Sequence, residues 1–138
     1  MPTHKYTSWG RTRRPKNIAG ADGTAVSLES APTDSATAGY KTENQRFLHL
    51  NVDCDGSSDS LFVYAFTYAS GVWGKLMVPS GIKNGADTTF DLAYVPVEIE
   101  GNTTAQHLVI DIAGVDRLAF VQDGTTDTFT VYAACSTF

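Results

Sequence analysis

From Arg46 onward the chain is written in short runs whose apolar residues recur at every second position, a period that fits strands and excludes amphipathic helices. Residues 46–53 (RFLHLNVD) put Leu48, Leu50 and Val52 on one face. The pattern continues through 60–69 (SLFVYAFTYA), 72–78 (VWGKLMV), 88–95 with 97–100, 105–112 (AQHLVIDI), 116–122 (DRLAFVQ) and 128–135 (TFTVYAAC). Turn formers separate the runs: Gly71, Gly101-Asn102, Gly114, Asp123-Gly124, and a loop through Pro79, Gly81 and Asn84-Gly85. Pro96 cannot donate a ladder hydrogen bond, so it marks an edge or a bulge. With 24–30 (TAVSLES) as a first strand, eight or nine short strands give the pattern of a sandwich or barrel, and the expected fold is all-β, an antiparallel β-sandwich. No internal repeat of fixed period is present.

The 138 residues suit one domain, and area scaling for 14.8 kDa lets about two-thirds of the surface be buried. Charge divides the chain in two. Residues 1–21 hold Lys5, Arg11, Arg13, Arg14 and Lys16 and no acid. The remainder sets five cations against all 15 acids, a net −10. The leading segment has few apolar residues (Tyr6, Trp9, Ile18) in no period, too few to offset the entropy of ordering it. The expected organisation is therefore an extended basic N-terminal arm over 1–22 and a β-sandwich over 23–138. Between the first two strands, 31–45 reads as a long polar loop of the kind that often carries function. No segment is apolar enough to span a membrane, and the polar N-terminus does not read as a secretory signal.

Strand 60–69 is apolar on both faces. Phe62, Tyr64, Phe66 and Tyr68 share one face, and Leu61, Val63, Ala65 and Ala69 the other. A sandwich strand ordinarily keeps one face in water. Either the arm or the 31–45 loop covers the aromatic face, or that face lies in an oligomer interface, where aromatic residues are enriched.

Candidate chemistry is sparse. His4, His49 and His107 are isolated, and no nucleophile elbow, zinc-protease, P-loop or dinucleotide motif occurs, so a binding role is expected rather than an enzyme, with no cofactor. Asp53, Asp55 and Asp59 lie in a DxDGxxD pattern that could offer oxygen ligands to Ca²⁺. The distal bidentate Glu of an EF-hand loop is missing, and a solvated hairpin loop is the simpler reading. Cys54 and Cys135 could bridge, but two reduced, partly buried thiols are favoured. Asn102-Thr103-Thr104 fits a glycosylation sequon and reads as a turn. The arm could meet phosphates, yet the acidic body would repel nucleic acid, so an acidic protein surface is the preferred partner.

The basic arm (TSWGRTRRPKN), the meandering strands and the C-terminal run HLVIDIAGVDRLAFVQDGTTDTFTVYAAC together resemble bacteriophage capsid decoration, or cement, proteins with a jelly-roll-like sandwich. In the segment Ile112-Ala113-Gly114-Val115-Asp116-Arg117, which looks like a strand–turn–strand step of phage virion sandwiches, Gly114 would permit the turn and Val115 would plug the end of the core. The resemblance implies a virion protein, typically a homotrimer on the outer capsid surface, assembled in the host cytoplasm. Such a protein bridges major capsid subunits. In that reading the arm residues Tyr6, Trp9, Arg11, Arg13, Arg14 and Lys16 bind the partner, and Phe62, Tyr64, Phe66 and Tyr68 are the oligomer-interface candidates. Two other readings remain open. One is a carbohydrate- or host-receptor-binding module with Trp73, Tyr68 or Tyr94 as stacking platforms; the other is a head or tail connector.

Overall fold

The computed structural model describes residues 14–33, 35–83 and 90–137, and among them there are strands and turns but no helix. The strands are β1 (Lys16–Asn17), β2 (Tyr40–Lys41), β3 (Phe47–Cys54), β4 (Ser60–Thr67), β5 (Val72–Lys75), β6 (Met77–Lys83), β7 (Phe90–Pro96), β8 (Glu98–Glu100), β9 (Gln106–Asp111), β10 (Arg117–Asp123) and β11 (Phe129–Ser136).

Every ladder is antiparallel, and the pairs nest. β4 meets β5 and β8, β3 meets β9, β2 meets β10, and β1 meets β11. The chain is thus one long hairpin folded at the β4–β5 turn. Rolling it up adds the pairs β11–β3 and β10–β4 and yields two sheets. Sheet A runs β1-β11-β3-β9 and sheet B runs β2-β10-β4-β5, with β8 continuing beside β4. That interleaving is a jelly roll. The alternation seen in the sequence supplies the core between the sheets. Leu48, Leu50 and Val52 from β3, Leu61 and Val63 from β4, Leu118 and Phe120 from β10, and Val131 from β11 are all fully buried.

The excursion β6–β7 interrupts the edge of sheet B. β5 and β8 pair with successive stretches of β4, and between them the chain leaves as a two-stranded ribbon and returns. Leu76 and Val97 clip its base: the Leu76 amide donates to the Val63 carbonyl (2.8 Å) and the Val97 amide to the Leu76 carbonyl (2.8 Å). Pro79 and Gly81 lie within β6 rather than in a loop, and Asn84-Gly85 falls outside the described residues.

At the other end, the step from β9 to β10 carries the chain from sheet A to sheet B. Gly114 takes φ 85°, the Val115 amide donates to the Ile112 carbonyl (3.0 Å), and Val115 packs against the core. A positive φ of this size favours glycine, as the sequence suggested.

Two expectations change. Segment 24–30 pairs with no strand as a ladder. Its Val26 amide donates to Val131 of β11 (2.8 Å) and its Glu29 amide to Phe120 of β10 (3.0 Å), so it crosses from one sheet to the other and holds register with neither. Sheet pairing also starts ahead of residue 23, the first paired strand among the described residues being Lys16–Asn17. Lys16 and Asn17 pair with Cys135 and Ala134, the Ile18 amide donates to the Ala133 carbonyl (3.0 Å), and Ile18 packs on the core. Asn17 is buried, its side-chain Nδ2 donating to the Thr24 carbonyl (2.9 Å). Backbone pairing by two polar residues leaves no period to read.

Candidate functional site

Strand β4 decides how much aromatic surface is open. Phe66 is 2% exposed, with the Trp73 ring 5.2 Å and the Tyr68 ring 5.4 Å from it, and Ala119 and Ala38 complete a small second core outside sheet B. The cover is the 31–45 loop, the first of the two readings of this strand. Its anchor is Arg117, a buried guanidinium that donates to three loop carbonyls: Ala38 (2.7 Å), Thr37 (3.1 Å) and Gly39 (3.2 Å). The Trp73 indole N–H adds a bond to the Ser35 carbonyl (2.8 Å). A buried cation is tolerated only when its donors are used, and these carbonyls use them. Phe66 is therefore unavailable to a neighbouring subunit. Phe62 and Tyr64 are half-buried, with the Lys75 ammonium 4.1 Å from the centre of the Phe62 ring, and Tyr68 remains exposed. Buried Trp73 is no sugar platform; Tyr68 and Tyr94 are exposed.

The carboxylates of the DxDGxxD segment are structural. Asp127 Oδ2 accepts from the Ser58 (2.7 Å) and Asp59 (2.8 Å) amides, and Asp59 Oδ2 accepts from the Thr126 and Asp127 amides (both 2.7 Å) and from Gln122 (2.9 Å). The Asp127 amide, opposed by desolvation and assisted by Gln122 and Thr126, holds the Asp59 carboxyl below its ordinary value of 3.8. Asp55 accepts from the Thr128 amide (2.8 Å), and Asp53 points outward from β3. Among the described residues no group of three His, Cys, Asp or Glu side chains is placed to hold a metal, and Asp59 with Asp127 forms a reciprocal clasp between two loops.

On the outer face of sheet A, His49, His107, Asn51 and Tyr132 line a shallow groove of about 190 Å³ beside Asn17 and Asp22. His49 lies 2.8 Å from Ser136 Oγ, and burial first, then the nearby His107, lowers its pKa. Ser136 is only 2% exposed, so its hydroxyl is out of a substrate's reach. Cys54 and Cys135 are unpaired and buried, and burial, with Glu43 adding to it, pushes the Cys135 thiol up to about 11.

A larger groove opens at the flank where sheet A ends in β9 and the ribbon leaves sheet B. It measures about 430 Å³. Val97, Leu108 and Ile110 form its apolar wall, Pro79 and Pro96 its ribbon side, and Glu98 and Asp111 bring two carboxylates to it. Val109 beside it is 57% exposed, and Tyr94, Val95 and Met77 of the ribbon are exposed as well. Sequence reasoning nominated none of the groove residues for a site, marking Pro79 only as part of a loop and Pro96 only as an edge or bulge, because the groove joins three separate runs. An outward Val109 in an edge strand was the available signal.

Of the arm residues, Arg14 pairs with Asp22 (2.6 Å) at an exposed position and Lys16 is in β1, while Tyr6, Trp9, Arg11 and Arg13 lie outside the described residues. No family model, no curated protein and no solved structure matches this chain.

Proposed function

We propose that the protein is a virion structural component that decorates a phage capsid from the outside, bridging major capsid subunits as a homotrimer. The observation that carries this reading is the separation of roles along the chain. A jelly roll with a structural use for its buried polar groups presents a strongly acidic body, and a basic segment bearing Tyr6, Trp9, Arg11 and Arg13 comes before Lys16, the first paired residue among those described. Arginine and aromatic residues are the side chains that most often dominate protein interfaces, and cations beside an acidic surface steer association. The exposed Tyr68 and Val72 beside the roofed face supply further contact area.

The test is decoration of particles by the full chain and by a chain lacking residues 1–13. Loss of particle binding by a truncated protein that melts like the full chain supports the reading. Equal binding by both overturns it.

A further inference from the structure

We infer that the flank groove receives residues 9–13 of a second copy, laid as an additional strand along β9. This rests on the reading that the arm docks on a neighbouring protein, and it names that neighbour.

The receiving side is built for an extended basic peptide. β9 ends sheet A, and among the described residues no strand pairs with its outer edge. An open edge beside an apolar groove is the geometry of strand addition, in which main-chain bonds give affinity and pockets take alternate side chains. The groove offers an apolar wall and two carboxylates, Glu98 and Asp111. Asp111 already accepts from Arg46 at 3.2 Å, but both side chains are more than half exposed, and a carboxylate has room for a second cation.

The donor side fits that description. In an extended strand alternate residues share a face. Trp9, Arg11 and Arg13 therefore project together, one large apolar group and two cations, while Gly10 and Thr12 fall on the other face. Pro15 then ends the pairing, since it has no N–H to give.

Chain length selects a second copy over the chain's own arm. Lys16 is fixed on β1, at the opposite edge of sheet A from β9. A strand added beyond β9 lies four interstrand steps from β1, about 19 Å. Fully stretched from Lys16, Arg13 reaches about 11 Å and Arg11 about 18 Å, so residues 9–13 of the same chain cannot lie along β9. Arm and groove on opposite edges make a head-to-tail contact, which can close into a ring.

The experiment is a charge exchange read by light scattering on full-length chains at matched concentration. One variant carries Arg11→Glu with Arg13→Glu; the other carries Glu98→Lys with Asp111→Lys. Both must keep the parent's circular dichroism and melting temperature, and Val109→Ser serves as a third, charge-neutral groove variant should a reversal fail to fold. The parent is expected to associate, each reversal to weaken association at least tenfold, and the equimolar mixture to recover association between unlike chains, because each then offers a matched arm or groove to the other; matched contacts alternate and close only rings of even number. A monomeric parent, unaffected variants, or a mixture that does not recover would overturn the inference. Particle binding separates it from the broader reading: groove variants that decorate like the parent while arm deletion abolishes decoration would place the arm on the capsid and not on this groove.

Discussion

The outer face of sheet B over Phe66 and the flank at β9 both begin as apolar surface on a bare sandwich, yet the chain treats them oppositely. Over Phe66 a polar loop is drawn down by Arg117 and Trp73, so an aromatic strand face becomes a second core. At β9 the ribbon lifts away from the sheet edge and leaves Leu108, Val109 and Val97 beside an open groove. Apolar residues alone do not determine which surface closes. What closes the first is a set of side-chain donors, on Arg117 and Trp73, that take the carbonyls of the covering backbone.

The sharpest way to break this contrast is at Gly39. Its φ is +67°, and an added Cβ would sit 2.2 Å from the Leu118 carbonyl oxygen. Gly39→Ala is expected to cost roughly 4 kcal/mol in urea unfolding, combining left-handed strain with a clash against backbone. Arg117→Met removes the donors that hold the roof and should cost about 3 kcal/mol, with Trp73 fluorescence moving to the red as the loop lifts. A roof that stays closed in this variant would show that packing, not the guanidinium, holds it.

The two-loop clasp gives smaller effects. Asp127→Ala strands the Ser58 and Asp59 amides and should cost about 2 kcal/mol. The clasp also makes stability depend on pH. Because the folded-state pKa of Asp59 is depressed, its contribution is present above the ordinary value of 3.8 and is lost as pH falls through the lower folded value. Melting temperature should drop below about pH 4, less steeply in Asp59→Asn. The smallest stability effect belongs to the open flank: Val109→Ser should change unfolding free energy by less than about 0.5 kcal/mol. If it destabilises as much as Arg117→Met, the flank is core and the contrast fails.

The sequence made the long strands legible because β3, β9 and β11 alternate strongly enough to show which face turns inward, while β4 and β10 are short apolar runs bounded by turn formers. It did not show β1 or β2, whose two-residue pairings are made by backbone. Nor could it give Arg117 a role: in a run reading DRLAFVQ the residue looks solvated, and only the rolled topology sets it beneath residues 37–39. The aspartates of 53–59 were legible as a turn, but the partner that organises them, Asp127, is 68 residues from Asp59. Groove residues share that difficulty, since Val78, Glu98 and Asp111 become neighbours only through the ribbon and the sheet edge.

The nested pairing has a temporal consequence. As the chain leaves the ribosome, the centre of the long hairpin can pair early, whereas Lys16 must wait for Cys135, a partner more than a hundred residues later in the chain. Contacts so distant in sequence form slowly. The root of the arm is therefore fastened only after β11 has emerged, and a copy synthesised only as far as β10 has nowhere to anchor the segment it would extend toward a neighbour.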